Sequence, residues 1–345
     1  SMRSHIPSPD ELPGPRGVQK RRPVQITPRG IPIMHRFKNI LFASSPGKGG
    51  DPALLRAAEL ANLNGGQLTV VQMAPPRPDA ISGDLGIQIE GLVQEAEQEQ
   101  LQELSELADS VEAMGPRPSI RLLQGKPFLS IIQEVLRNGH DLVMKNAKGP
   151  TGDLRTRLFG STDQHLMRKC PCPVWLFKSD RETHIRSVLA AVDVGAGGNP
   201  VLNGRILQIA STLASKEHAH LHVVHAWSLT GETFLRSSGR KEGEQVVAQL
   251  FEAEESRRTR RLDALLDAEV GPGAGAELHV ARADPADGIG TVADSVGADV
   301  VVMGTLSRAG VRGLLIGNTA ESVLGRLDCS VLTVKPEGFH TPVSL

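Results

Sequence analysis

Hydrophobic and polar positions divide this chain into short apolar runs and longer amphipathic stretches, in strict alternation. KNILFAS (38–44) and RSVLAAVD (186–193) are apolar runs that end in Gly-rich turns and lead into ALLRAAELANL and VLNGRILQIASTLA, which carry helical periodicity. The runs QLTVVQMAP (67–75) and LHVVHAWSL (221–229) follow, and charged helical stretches come next, around 88–113 and 241–268. SIRLLQGKP and LHVARADP, helices over 128–138 and 286–296, then HDLVMKNAKG and ADVVVMGTLS continue the series. CPVWLFK (172–178) and CSVLTVK (329–335) close it and align cysteine to cysteine and lysine to lysine.

The order of elements therefore occurs twice. Apolar strands that alternate with helices predict parallel strands joined by crossover helices. The fold class is α/β: two tandem, doubly wound, five-stranded parallel-sheet domains. The expected divisions are a Pro-rich tail over 1–35, a first domain over 36–180, a linker near Ser179 to His184, a second domain over 184–337 and a C-terminal tail over 338–345. Each copy ends on an apolar strand that would leave an unpaired edge if the copy stood alone. VWLFK and VLTVK are therefore expected to meet across a pseudo-two-fold axis, so that one chain imitates a homodimer.

Composition removes several classes. A chain of 345 residues with 39% hydrophobic and 22% charged residues is long enough for two cores and too apolar for general disorder. A formal net charge of −1 supplies no overall drive towards nucleic acid or an anionic membrane, and neither is expected as a partner. Three cysteines beside apolar runs do not form a disulfide framework. No stretch is apolar enough to span a bilayer and the first residues carry no secretion-type core, so a cytoplasmic location is expected.

In open parallel sheets ligands bind beyond the carboxyl ends of the strands, where strand order reverses. The fourth strand of the second copy runs into GTLSRAGVRGLLIGNTAESVLGRL (304–327). Gly304 permits a sharp turn against a ligand, and Gly317-Asn318-Thr319 stands where a helix begins and exposes N–H groups to phosphate oxygens. This segment resembles the glycine motif of universal stress proteins, G-x2-G-x9-G-[ST], read here as Gly304, Ser307, Gly317 and Asn318. The resemblance extends over both copies, from about residue 36 to 336, and is nearest to the tandem bacterial members. It implies an adenine-nucleotide alpha-hydrolase-like fold and ATP as ligand, with or without Mg²⁺. It also implies that Asp193 and the backbone at Ala226 meet the adenosine end, that Gly304 and Ser307 approach the ribose and phosphates, and that Gly317, Asn318 and Thr319 hold the phosphates. Ser307 in place of the second glycine and Asn318 in place of the usual hydroxyl residue depart from the pattern.

The first copy departs further. Ser45 replaces the aspartate, Asn146 replaces the first glycine, and the interval from Gly149 to Gly160 is one residue longer than that from Ser307 to Gly317. Gly160-Ser161-Thr162 survives at a helix start and can still hold an isolated anion, but this copy is expected to serve as a structural partner.

Other clusters have plainer readings. His218, His220 and His222 alternate as on one strand face, and a polar strand entrance is expected there rather than a metal site. Cys170 and Cys172 lack redox spacing and read as packing residues. Arg257, Arg258, Arg260 and Arg261 lie among glutamates and read as a solvated helix face. No G-x-S-x-G elbow, Walker lysine or G-x-G-x-x-G is present, so no catalytic residue is assigned. The expectation is a cytoplasmic stress-response protein that binds ATP or a related adenine nucleotide in its second domain as a regulatory ligand. A nucleotide-free interaction scaffold and a slow ATPase are the alternatives. An unidentified protein partner and further homodimerisation stay open.

Overall fold

The computed structural model describes residues 37–45, 51–77, 84–147, 159–178, 184–229, 241–305 and 318–345. Its first half contains β1 (Asn39–Ala43), α1 (Pro52–Leu63), β2 (Gln67–Met73), α2 (Asp84–Ser110), β3 (Ser119–Leu123), α3 (Pro127–Asn138), β4 (Leu142–Asn146), α4 (Ser161–Lys169) and β5 (Val174–Phe177). The second repeats the order with β6 (Ser187–Ala191), α5 (Pro200–Glu217), β7 (His220–Trp227), α6 (Lys241–Glu269), β8 (Ala276–Arg282), α7 (Pro285–Ser295), β9 (Val300–Gly304), α8 (Asn318–Leu324) and β10 (Ser330–Val334).

Proline at the amino end opens α1, α3, α5 and α7, where its missing N–H costs no hydrogen bond and its fixed φ suits the helix. Asp51, Asn199 and Asp284 cap three of these starts by accepting the N–H of Ala53, Leu202 and Ala286 respectively.

The ten strands form one sheet in the order β3-β2-β1-β4-β5-β10-β9-β6-β7-β8. All neighbours are parallel except β5 and β10, which run antiparallel with Trp175 opposite Leu332 and Leu176 opposite Val331. The order is palindromic about that junction, so a pseudo-two-fold axis passes between β5 and β10. The two five-stranded sheets of the sequence reading are thus one continuous sheet. An edge that would otherwise expose free backbone groups is paired within the chain.

One core covers each face. Leu54 and Ala57 of α1, Leu104 of α2, Ile206 of α5 and Leu262 of α6 pack on the first face. Ile131 of α3, Leu166 of α4, Ile289 of α7 and Val323 of α8 cover the second. Both cores cross the junction, through Trp175 and Leu332 on one face and Leu176 and Val331 on the other. Arg56 of α1 makes a two-toothed ion pair with Glu217 at the end of α5, a further tie between the halves. No described helix is long and apolar enough to cross a membrane.

The Pro-rich tail lies outside the described residues, as does most of the 179–184 linker. The C-terminal tail has neither helix nor strand, yet the amide of Gln133 in α3 donates to Ser344 O at 3.1 Å.

Candidate nucleotide crevice

In each half the first strand is flanked by the second on one side and the fourth on the other, so strand order reverses beside β1 and beside β6. The crevice of the second half opens where β6 and β9 end. Asp193 stands two residues beyond β6, in a loop whose shape is fixed from below by α5. The Asp193 N–H donates to Asn203 Oδ1 at 3.1 Å, and Asn203 Nδ2 donates back to the Asp193 carbonyl at 2.7 Å. The Gly195 N–H donates to Asp193 Oδ1 at 2.8 Å. The loop then passes so close to itself that a Cβ on Gly198 would lie 1.8 Å from the Asp193 carbonyl oxygen, which makes glycine obligatory there. Asp193 keeps 38% of its side chain exposed.

His225 underlies this loop. It is buried, with Nδ1 3.2 Å from the Val192 carbonyl and 3.8 Å from the Asp193 carboxylate. The Val194 N–H also points at Nδ1, at 3.4 Å, so the ring engages backbone groups on both sides of Asp193. Asn203 and His225 escaped the sequence reading, because a polar residue in the first turn of a helix and a lone histidine in an apolar strand carry no signal without their neighbours. Arg261, read as part of a solvated face, also reaches this loop and donates to the Val194 carbonyl at 3.2 Å. Its neighbours fit the expected pattern: Arg257 and Arg258 both pair with Glu254.

Ala226 lies near the end of β7, one residue short of its last. The Val192 N–H donates to the Val224 carbonyl, and the Ala283 N–H donates to the Trp227 carbonyl. Backbone groups along a parallel strand alternate between neighbours, so Ala226 aims its amide and carbonyl to the β6 side, past the last β6 pair at Ala191–Val224. Its methyl group faces α7, where a Cβ on Gly288 would lie 2.7 Å from it. Only backbone is therefore presented to the crevice.

Gly304 is the last residue of β9, and a Cβ there would lie 2.8 Å from Leu202 Cδ2 in the first turn of α5. The absence of a side chain lets α5 press against the strand end. Helix α8 begins at Asn318, as the sequence reading requires, with Thr319 following. Ser307 and Gly317 lie outside the described residues.

The first half has filled the equivalent space. Asn146, in the position of Gly304, donates its amide to the Asp51 carboxylate at 2.6 Å across the crevice, and Asp51 also caps α1. Lys145 and Asp163, both nearly buried, form an ion pair at 2.8 Å where the second half has the apolar Met303 and Ala320. Asp163 lies in the first turn of α4 beside Gly160-Ser161-Thr162. The chain thus supplies its own carboxylate to that helix start.

The histidine pattern needs a correction. His218 is not on the strand; it caps α5 in the left-handed conformation with φ 54°, and β7 begins at His220. The neighbours of His222 are instead Glu277 and His279 on β8. The three cysteines are buried and none forms a disulfide, as expected of packing residues.

The family model described as universal stress protein family matches residues 36–178 and 184–335. Universal stress protein E of Escherichia coli (strain K12) is 29% identical over 327 residues, covering 90% of this chain and 98% of that protein. A functionally unknown protein from Pseudomonas aeruginosa PAO1 shares 27% identity with a TM-score of 0.56, over 88% of this chain and 94% of its own. A universal stress protein from Archaeoglobus fulgidus DSM 4304 has the same TM-score at 17% identity, over 86% and 98%, a likeness of fold alone.

Proposed function

Since this chain belongs to the universal stress protein family, we propose that its second half binds ATP or a related adenine nucleotide as a regulatory ligand in a stress response. The observation that carries the reading is the convergence of Asp193 and the Ala226 backbone on one crevice at the strand-order reversal, with the equivalent crevice of the first half bridged by Asn146 and Asp51. A partly exposed carboxylate on a rigid loop suits the hydroxyl groups of a ribose, and a backbone amide and carbonyl suit an adenine edge.

The phosphates, with any Mg²⁺ they carry, would be held by Gly304, Ser307, Gly317, Asn318 and Thr319. A nucleotide supplies negative charge to a helix start that, unlike α4, has no carboxylate in place of Ala320. The sequence carries no Walker G-x4-G-K-[ST] lysine motif, and binding rather than turnover is the reading proposed. At a hundred times its dissociation constant such a ligand stabilises the bound state by about 2.7 kcal/mol, enough to bias a partner surface.

The test is isothermal titration of the full chain with ATP, ADP and AMP, with and without Mg²⁺, alongside Asp193→Ala and Gly317→Asp. One site per chain, weakened at least about tenfold in both variants, is expected; a tenfold loss corresponds to about 1.4 kcal/mol. A folded chain that binds no nucleotide at millimolar concentration would overturn the reading in favour of an interaction scaffold. That alternative draws on Gly304, whose missing side chain the packing of Leu202 already explains.

A further inference from the structure

At the opposite ends of β7 and β8 from the crevice, three side chains of these two strands converge on one point. His222 and Glu277 are direct cross-strand partners, and His279 follows two residues after Glu277 on the same face. His222 Nδ1 lies 3.2 Å from His279 Nε2 and 3.9 Å from Glu277 Oε2, and the three ligand atoms all fall within 4.8 Å of one another. His279 is buried, while His222 and Glu277 keep 12% and 26% of their side chains exposed, so the cluster is walled by protein on one side and reachable from solvent on the other.

We propose that His222, His279 and Glu277 form a binding site for one divalent transition metal, of which zinc is the representative. Two imidazole nitrogens bound tetrahedrally at about 2.0–2.1 Å from a zinc ion stand about 3.3 Å apart, and the observed nitrogen pair has that spacing. The carboxylate stands about half an ångström beyond that spacing from His222 and within 4.8 Å of His279, a gap that side-chain rotation can close.

Imidazole ligands must be neutral to bind a metal. Burial disfavours the charged form of both rings, with Glu277 opposing. Two imidazoles and one carboxylate suit zinc and its neighbours in the first transition row better than calcium or magnesium, which take oxygen donors. The set leaves a coordination position for water or for a ligand from solvent. His220, exposed and two residues earlier on the same strand face, is the nearest protein candidate to fill it. The cluster uses no residue of the nucleotide crevice, so the two sites are separable by mutation.

Chelator-treated full-length protein would be titrated with ZnCl₂ by calorimetry, with Co²⁺ absorption as a readout of coordination geometry. One metal ion per chain is expected, with the visible bands of four- or five-coordinate Co²⁺. His222→Ala and His279→Ala should each abolish binding at that site. Glu277→Gln, at a partly exposed position where loss of fold is least expected, should weaken it at least tenfold while far-UV circular dichroism and nucleotide titration stay unchanged. Absence of zinc binding at 100 micromolar by folded wild-type protein would overturn the proposal. So would stoichiometric binding unaffected by Glu277→Gln and either histidine variant, which would place the ion elsewhere, such as at the Cys170–Cys172 pair. The cluster would then be a plain histidine–histidine hydrogen bond.

Discussion

Lys178 and Lys335 exchange partners across the junction of the two halves. Lys178 Nζ, just beyond β5, donates to the Leu327 carbonyl at 3.0 Å, past the end of α8 in the other half. Lys335 Nζ, just beyond β10, donates to the Met167 and Arg168 carbonyls in the last turn of α4, and to Thr305 Oγ1 at 2.8 Å. Lys335 thus satisfies carbonyls that the end of α4 leaves unpaired and lies at the negative end of that helix dipole, whereas Lys178 ties down the connection three residues beyond α8. The lysines aligned by the repeat each reach into the other half, and only Lys335 caps a helix. They differ in environment: Lys178 also meets the exposed Asp328, whereas Lys335 is buried at 4% exposure.

Burial pushes the Lys335 ammonium down to about 8, against the opposing influence of the Cys170 and Cys172 thiols. A depressed lysine binds fewer protons folded than unfolded, so its contribution to stability rises with pH between about 8 and its unfolded value of 10.5. Between pH 7.5 and 9.5 the wild-type chain should gain about 2 kcal/mol relative to Lys335→Met. Urea unfolding of both proteins at the two pH values measures this, and equal slopes would show that Lys335 titrates normally.

Trp175 is fully buried opposite Leu332 at the β5–β10 pair. Trp175→Ala should cost about 3–5 kcal/mol. Because both cores run through the junction, the loss is expected in the urea transition reported by Trp227 fluorescence, deep in the second half. A Trp227 transition that does not move would mean that the halves unfold independently.

Gly198 and Gly304 should respond differently to alanine. At Gly198 the new Cβ meets rigid backbone at 1.8 Å, so Gly198→Ala should distort the Asp193 loop and lower nucleotide affinity together with thermal stability. At Gly304 the obstacle is the flexible end of Leu202, and Gly304→Ala should cost about 1–3 kcal/mol. Differential scanning calorimetry paired with ATP titration distinguishes these. A loss of affinity at Gly304 without loss of stability would assign that glycine to the ligand rather than to packing.

Asp51 both caps α1 and receives Asn146. Asp51→Ala should lower stability by about 1 kcal/mol for the cap alone, and somewhat more for the orphaned Asn146 amide, while ATP stoichiometry stays at one. A second nucleotide bound by this variant would show that the Asn146–Asp51 bridge alone had closed the first crevice.

The repeat, the parallel strands and the helix starts were legible in the sequence because local periodicity and capping residues dictate them: Pro200 after Asn199 opens α5 wherever the helix is placed. That Asp193 and Ala226 stand at strand ends was also legible, since that position follows from the order of elements. What required the tertiary structure was every relationship between segments distant in the chain. Asn203 clamping Asp193, Asn146 bridging to Asp51, Lys335 capping α4, and His222 meeting His279 rather than His218 all depend on strand order and register. The sequence of one strand specifies which residues share a face, whereas the identity of the facing strand is set by how the whole sheet buries its two cores. The fusion of both halves into one sheet has the same origin: VWLFK and VLTVK each announce an apolar edge, and only the assembled chain determines that the two edges satisfy one another.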